Sequence, residues 1–307
     1  MVTSAVVFAY HNVGVRCLSV LLAQGIDVKL VVTHEDATGE NIWFSSVKSL
    51  AQERGIPVIT PVDPHDAATM ALLKAASPDF LFSFYYRSML KPAILEIPRR
   101  GGFNMHGSLL PKYRGRVPIN WAVIHGETEA GATLHEMVEK PDAGRIVDQM
   151  AVPILPNDTA EEVFSKVLVA AEITLQRALP ALVNGTAKLQ PMDLKKGSYF
   201  GGRKAEDGRI DWTQSAANIH NLVRAVTHPY PGAFSDLRDG RLVIWRTLAV
   251  EQRSSGDPAI FCKNDQLFLR CADGATLRLL SAELDGVALS ASVFRSRFGT
   301  TEFALLA

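Results

Sequence analysis

The stretch Phe80-Leu81-Phe82-Ser83-Phe84-Tyr85-Tyr86 decides the fold, because it is apolar on both of its faces. A strand of this kind is typical of the centre of a parallel sheet that helices cover on both sides. Residues 6–10 and 28–33 form similar apolar runs, and leucines recur between them at helical spacing up to Gly25. This alternation predicts an α/β domain with a Rossmann-like, doubly wound and mostly parallel sheet.

The later part of the chain has a different texture. Residues 192–208 are rich in Gly, Lys and Arg and have few apolar positions, which is typical of a linker. Beyond it, a helical pattern over residues 214–226 precedes short strand-like runs that Asp273-Gly274 and Asp285-Gly286 separate. We therefore predict a Rossmann-like domain over residues 1–203 and a small antiparallel, OB-like β-barrel domain over residues 204–307.

Composition limits the classes of function that fit the chain. Its 307 residues carry 32 Lys and Arg against 32 Asp and Glu, so a general phosphate-binding surface is not favoured. Three scattered cysteines without a Cys-x-x-Cys pair indicate a reducing compartment. No apolar run has the length of a membrane span, and the first residues resemble a strand more than a signal peptide. We expect a cytoplasmic protein without a membrane partner.

Several common site motifs are missing from the sequence. The turn after the first strand, Tyr10-His11-Asn12-Val13-Gly14, has one glycine, whereas a dinucleotide needs the close backbone approaches that G-x-G-x-x-G allows. A P-loop, an H-E-x-x-H zinc motif and a G-x-S-x-G elbow are missing as well. The sequence therefore predicts that the protein uses neither a dinucleotide, such as NAD or FAD, nor a metal ion as a cofactor.

The most specific segment of the chain runs from Phe103 to Arg116. Asn104 and His106 lie two residues apart on a predicted strand, so their side chains leave the same face. The strand ends at Gly107, and α/β sheets bind ligands at the carboxyl ends of their strands. An imidazole can move a proton between an attacking amine and a leaving group, while an amide can donate to an oxyanion. The pair indicates acyl transfer, although a lone histidine at a strand end is more often a buried structural residue.

This segment resembles the 10-formyltetrahydrofolate-dependent formyltransferase family. The family combines an N-x-H strand end, the motif S-L-L-P-x-x-R-G and a later aspartate in a D-x-G turn. This chain has Asn104 and His106, the motif at residues 108–115, and Asp142 followed by Ala143 and Gly144, all in the same order. The resemblance implies the formyltransferase fold, a catalytic first domain, and 10-formyltetrahydrofolate as the co-substrate.

The resemblance also implies roles for individual residues. His106 is expected to be the general acid/base, Asn104 to stabilise the tetrahedral intermediate, and Asp142 to hold the imidazole. The negative charge of Asp142 is expected to raise the pKa of His106. The residues expected to bind the folate are Ser88, Met89, Leu90, Arg116, Val138, Glu139, Lys140, Pro141 and Asp142. The weaker candidates for the acceptor side are His11, Asn12 and Arg203.

A closer resemblance concerns the acceptor. Residues 8–11, 32–34, 82–87, 200–203, 221–226 and 229–235 resemble the formyltransferases that act on UDP-4-amino-4-deoxy-L-arabinose in lipid A modification. The likeness implies a nucleotide-linked amino sugar as the second small-molecule partner. Another UDP- or dTDP-linked amino sugar fits the same chemistry.

Three alternative functions stay open at the level of sequence. Formylation of initiator methionyl-tRNA requires a polyanion-binding surface, yet the loop at residues 34–40 is acidic, and residues 204–307 carry 12 Lys and Arg against 12 Asp and Glu. Hydrolysis of the formyl-folate would use the same three residues on water, and a non-catalytic folate or nucleotide-sugar binder would not need all three. We expect no nucleic acid partner. The sequence does not indicate whether the protein is a monomer or an oligomer.

Overall fold

The computed structural model describes residues 2–37, 39, 42–238 and 240–305, so Thr38 and Glu40 of the predicted acidic loop lie outside the described residues. The chain forms two compact units. The first contains the chain up to Pro118, Glu129–Val152 and Phe164–Gly201. The second contains Ile119–Thr128, Pro153–Val163 and the chain from Gly202 onward.

The first unit is built on a mostly parallel sheet. Its strands are β1 (Ser4–Ala9), β2 (Asp27–Val32), β3 (Val58–Ile59), β4 (Phe80–Phe84), β5 (Gly102–His106), β6 (Arg114–Gly115), β7 (Glu129–Glu136), β8 (Ile146–Pro153) and β9 (Tyr199–Phe200). The sheet order is β3-β2-β1-β4-β5-β7-β8, and β6 pairs separately with β9. Strands β1 to β5 pair in parallel, whereas β7 runs antiparallel to β5. The predicted Rossmann-like sheet is confirmed.

Helices follow most of these strands. The α-helices of the described chain are α1 (His11–Ala23), α2 (Val47–Glu53), α3 (Ala67–Ala76), α4 (Pro92–Leu95), α5 (Pro118–Ile124), α6 (Ala160–Val183), α7 (Ala216–Val226) and α8 (Ala291–Phe298). At the start of α6, Glu162 N donates to Thr159 Oγ1 at 3.2 Å and Thr159 N donates to Glu162 Oε2 at 2.7 Å, which forms a capping box. Within the described residues, no helix combines the length and apolarity needed to cross a membrane.

The core of the first unit lies on both faces of β1 and β4. Every residue of these two strands is buried. The rings of Phe80, Phe82 and Phe84 stack along β4 at centroid distances of 5.7 and 5.8 Å. Since a fully buried phenylalanine contributes about 1.5–3 kcal/mol, these three side chains fix β4 at the centre of the sheet. The two-sided burial that the sequence predicts for this strand is confirmed.

The second unit is an antiparallel β unit. Its strands are β10 (Ala233–Leu237), β11 (Gly240–Arg253), β12 (Ala259–Lys263), β13 (Gln266–Arg270), β14 (Ala275–Leu284), β15 (Val287–Ala288) and β16 (Glu302–Ala304). They pair in the order β10-β11-β14-β13-β12-β16, with β15 beside β14, and the pairs are antiparallel. A small antiparallel β domain after the Rossmann-like sheet is therefore confirmed.

Candidate active site

The sheet of the first unit has a topological switch point between β1 and β4. From β1 the chain continues to β2 on one side, and from β4 it continues to β5 on the other. Tyr85, directly after β4, has a φ of 57°, and His11, at the start of α1, has a φ of 65°. Positive φ is uncommon in residues other than glycine and concentrates at functional sites. The carboxyl edge of β1, β4 and β5 is thus the candidate ligand crevice.

Strand β5 carries Asn104 and His106 to this edge. The two side chains share a face because they are two residues apart. In the antiparallel register with β7, Asn104 lies opposite His135 and His106 lies opposite Thr133. Asn104 Nδ2 is 3.1 Å from His135 Nε2, so the cross-strand pair brings an amide and a second imidazole together.

The turn between β7 and β8 adds the carboxylate of Asp142. Its Oδ1 lies 3.6 Å from His106 Nδ1 and 3.5 Å from His135 Nε2. Its Oδ2 accepts a hydrogen bond from Gly115 N at 2.8 Å. The three residues that the sequence singles out, Asn104, His106 and Asp142, therefore belong to one cluster, with His135 among them.

The D-x-G turn is needed for steric reasons. Asp142 has a φ of 49°, which is a left-handed conformation. A Cβ atom at Gly144 would collide with the carbonyl oxygen of Glu136, so only glycine allows the chain to pass here. Together these two residues aim the carboxylate at the histidines.

The motif after β5 presents a backbone carbonyl to His106. Ser108 Oγ donates to Lys112 O at 2.7 Å and closes the loop, which contains a cis peptide bond between Leu110 and Pro111. His106 Nε2 lies 2.8 Å from Tyr113 O. Because a carbonyl only accepts hydrogen bonds, Nε2 carries the proton in the neutral ring and Nδ1 is the basic nitrogen.

His106 is held in its neutral form. The side chain is 7% exposed, and this burial lowers its pKa more than the charge of Asp142 and the carbonyl of Tyr113 raise it, while His135 lowers it further. The charge of Asp142 raises the pKa of His106 as expected, but burial outweighs this effect. Desolvation opposes the imidazolium, and the net result is a base that stays unprotonated near neutral pH.

Asp142 is held as a carboxylate. Burial acts to raise its pKa, but the positive charge that His106 and His135 gain when they are protonated at low pH, together with the Gly115 N–H, holds that pKa well below its usual range. A hydrogen-bonded anion therefore faces the basic nitrogen of His106.

His135 is a site residue that sequence reasoning missed. It is 2% exposed, and its Nδ1 lies 2.8 Å from the carbonyl oxygen of Glu136, so Nδ1 carries the proton and Nε2 accepts. Nε2 then accepts one N–H of Asn104, which orients the amide and leaves its second N–H hydrogen for another acceptor. The only signal in the sequence is a histidine on a strand, and its partner depends on a register that the sequence does not reveal.

Two family models match the chain. The model described as formyl transferase matches residues 14–179, and the model described as formyl transferase, C-terminal domain, matches residues 203–298. These ranges cover more than half of the sequence. The chain belongs to the formyl transferase family. It is accordingly an enzyme of the formyltransferase class, as the sequence predicts.

Solved structures share the fold of this formyltransferase. An N-formyltransferase from Helicobacter canadensis, in complex with folinic acid and dTDP-3-aminofucose, has a TM-score of 0.72 at 22% identity, over 91% of this chain and 99% of that one. WlaRD, a sugar 3N-formyl transferase in the presence of dTDP and 5-N-formyl-THF, has a TM-score of 0.67 at 21% identity, over 94% and 98%. A sugar N-formyltransferase from a Shewanella species has a TM-score of 0.64 at 20% identity, over 83% and 100%.

The residues predicted to bind the folate lie in three segments of this formyltransferase. After β4, Ser88 is half-buried, Met89 is 56% exposed, and Leu90 packs in a core cluster. Arg116 is exposed, and its backbone N donates to Phe200 O at 3.0 Å. The residues of the turn that precedes Asp142 are the exposed Val138, Glu139 and Lys140 and the half-buried Pro141. Their binding role stays a prediction.

The weaker acceptor-side candidates have structural contacts of their own. The His11 ring lies 4.1 Å from the Phe44 ring and 4.7 Å from the Trp43 ring. Asn12 Oδ1 accepts a hydrogen bond from Ser45 N at 2.8 Å. Arg203 belongs to the second unit, where its Cζ lies 4.7 Å above the Trp121 ring. A metal site has no support among the described residues, where no group of three or more His, Cys, Asp or Glu side chains could hold an ion.

Proposed function

We propose that this formyltransferase transfers a formyl group from 10-formyltetrahydrofolate to the amine of a nucleotide-linked amino sugar. The observation that carries the proposal is the single cluster of Asn104, His106 and Asp142 at the carboxyl end of β5. The fold match to sugar N-formyltransferases, two of them studied with folates and dTDP ligands, supports the substrate class. Bound folate supplies the formyl carbon that the sugar amine attacks.

The chain's own residues supply the proton transfers. His106 Nδ1, held basic by the bond between Nε2 and Tyr113 O, takes the proton that the amine loses. The resulting imidazolium is stabilised by Asp142, whose Oδ1 is 3.6 Å away, and it returns the proton to the leaving nitrogen. A positioned acid/base of this kind contributes about 10²–10⁴-fold to the rate.

Asn104 is proposed to stabilise the oxyanion. His135 fixes one N–H of its amide, so the other can point to the developing negative charge without reorganising during the reaction. The loss of one such donor costs about 10²–10³ in turnover.

The two buried cysteines, Cys17 and Cys271, are poor candidates for a nucleophile that would carry the formyl group. Burial raises the pKa of the Cys17 thiol far above its usual value and, with Asp273 adding to the effect, raises that of Cys271 to about 12. A protonated, buried thiol is a poor nucleophile. The amine is therefore proposed to attack the formyl carbon itself.

Among acceptors, UDP-4-amino-4-deoxy-L-arabinose is the first candidate on sequence resemblance. The dTDP-3-aminofucose in the Helicobacter complex makes dTDP-linked 3-amino sugars the matched alternative. The proposed folate site includes Ser88, Met89, Arg116 and the turn at Asp142.

The test is a panel of UDP- and dTDP-linked amino sugars with 10-formyltetrahydrofolate, followed by mass spectrometry. We expect one added formyl group on one acceptor, and none with the His106→Asn variant. The same nucleotide sugars with a hydroxyl in place of the amine are the matched controls. Formate release at the same rate without any acceptor would show a hydrolase instead, and binding without turnover of any sugar would show a non-catalytic binder.

A further inference from the structure

The second unit contains a cavity of about 100 Å³, and all of its described lining residues belong to that unit, whereas the Asn104 cluster belongs to the first. Helix α7, strand β11, strand β14 and the segment before α6 contribute its walls. Since one water occupies about 30 Å³ in the liquid and drug-sized ligands need about 300–1,000 Å³, the cavity suits a small group. Among its described lining residues none is acidic, and two are arginines, Arg224 and Arg246.

The strand pairing beside this cavity is irregular. The pairs along β11 and β14 run Ile244 with Ala282, Arg246 with Ser281, and then Thr247 with Leu279. Trp245 on β11 and Leu280 on β14 are therefore the extra residues of two adjacent irregularities, and both line the cavity.

The lining also departs from the alternation of a regular strand. Residues 245–248 all line it, whereas a regular strand would turn alternate side chains to the opposite face. Bulges of this kind redirect side chains and occur frequently beside functional sites.

Arg224 is a buried cation without a carboxylate partner. The residue is 6% exposed, and its Nε and Nη1 donate to Asn221 Oδ1 and to the backbone oxygen of Asp158, both at 3.0 Å, while Nη2 donates to the backbone oxygen of Val123 at 3.5 Å. It forms no ion pair with any residue in the described part of the chain. Burial lowers its pKa, and the charge of Asp158 opposes this effect. Because a buried charge is costly unless it is paired, an anion in the cavity would stabilise this arginine.

A neutral histidine forms the wall beside Arg224. His220 Nε2 lies 3.1 Å from Pro156 O, and its Nδ1 lies 2.8 Å from Thr247 Oγ1, so both ring nitrogens are occupied. Burial lowers its pKa, so the ring stays neutral near pH 7. The positive charge at the cavity therefore comes from the arginines, with the exposed Arg246 at the opening.

We propose that this cavity is an oxyanion site that binds a phosphate group, with Arg224 as the buried and Arg246 as the exposed charge partner. Guanidinium groups suit phosphate oxygens because they donate in a fixed, planar fork. Thr159 and Asn157, which also line the cavity, offer further hydrogen bonds. This site goes beyond the proposed formyl transfer, since it uses none of the residues of that reaction.

Isothermal titration of the full chain with inorganic phosphate, at constant ionic strength and with chloride as the reference salt, tests the proposal. We expect saturable binding of one phosphate per chain. Arg246→Glu should weaken it at least about tenfold, since it removes one charge-assisted contact and adds repulsion. Arg253→Glu is the matched control, because Arg253 is an exposed arginine of the same strand outside the cavity. The affinity of this variant for phosphate should stay within about twofold of the wild-type value.

Two comparisons make the result decisive. Equal weakening by Arg246→Glu and Arg253→Glu would indicate general surface charge and overturn the proposal, as would the absence of saturable binding in the wild type. A second titration uses glycerol 3-phosphate as the probe. If Arg246→Glu weakens the binding of both probes, the ligand is the phosphate end of a larger molecule. If it weakens the binding of inorganic phosphate and glycerol 3-phosphate does not bind, the ligand is the free ion. Because neither titration contains folate or amino sugar, the outcome is independent of the proposed function.

Discussion

At the scale of single residues, backbone carbonyl groups determine which ring nitrogen of each histidine in the candidate site carries the proton. Tyr113 O fixes the proton of His106 on Nε2, and Glu136 O fixes that of His135 on Nδ1. The nitrogens that remain basic are His106 Nδ1, beside Asp142, and His135 Nε2, beside Asn104. The base and the amide are thus oriented before a substrate arrives, which reduces reorganisation during the reaction.

Removal of either group should abolish most of the activity without unfolding the chain. We expect His106→Ala to lower kcat by about 10²–10⁴ and Asn104→Ala by about 10²–10³, as measured with the accepted amino sugar. Circular dichroism and thermal unfolding should show a folded protein for both. The exposed residues His125 and Asn184 provide the alanine controls, which should keep full activity. Near-wild-type turnover in either test variant would contradict the assignment.

The pH profile should report the lowered pKa of His106. Because the neutral ring is the proposed base and burial disfavours its charged form, the acid limb of kcat/KM should lie below the ordinary histidine value of about 6.5. Asp142 acts to raise this pKa, so Asp142→Asn should shift the limb further toward low pH and also lower kcat. A limb that moves to higher pH in this variant would show that Asp142 does not act on His106 by its charge.

At the scale of elements, the antiparallel β7 and the turn after it complete the site. β7 places His135 opposite Asn104, and the turn at Asp142 and Gly144 returns the chain toward β5. The edge of a mostly parallel sheet thereby gains two groups that β5 alone does not provide.

The Gly144→Ala variant should test this turn. The new methyl group would collide with Glu136 O, so we expect a loss of about 1–3 kcal/mol in the free energy of unfolding and a fall in kcat as Asp142 is displaced. Denaturant unfolding and steady-state kinetics measure the two effects. Gly201→Ala is the control, because a Cβ atom there meets nothing within 4 Å. Equal stability and turnover in the two variants would mean that the turn tolerates a side chain.

The sequence predicts correctly those elements whose pattern lies within a short stretch of residues. The two-sided burial of β4 and the N-x-H end of β5 are such patterns. The apolar spacing after residue 43 favours a helix from there, whereas α2 begins at Val47, where the Ser46 side chain accepts a hydrogen bond from Ser49 N. Trp43 and Phe44 are apolar because their rings pack on His11, not because they line a helix face.

The unpredicted part of the site depends on tertiary structure. His135 joins it through the β5–β7 register, and the net pKa of His106 follows from a burial that no motif encodes. A sequence motif identifies the residues that take part, but their burial in the folded protein determines which of them are charged.

At the scale of the whole molecule, the balance of charge is the reason for proposing a sugar acceptor and not a nucleic acid. The chain has a formal net charge of zero, so counterion release would contribute little to the binding of tRNA. We expect no formylation of charged initiator methionyl-tRNA under conditions in which the amino sugar is turned over. A filter-binding titration in low and high salt should show no specific complex. Salt-sensitive binding together with formylation of the tRNA would reverse the choice of acceptor.

All four polar side chains of the cluster come from a single stretch of the polypeptide, from Asn104 on β5 to Asp142 after β7. Such contiguity confines the proposed reaction chemistry to one segment of the chain. Segments outside it, such as the one whose Trp43 and Phe44 rings pack on the acceptor-side candidate His11, can change without altering these four side chains. Exchange of those outer segments between related enzymes should therefore alter which amine is used before it alters how fast the group is passed on.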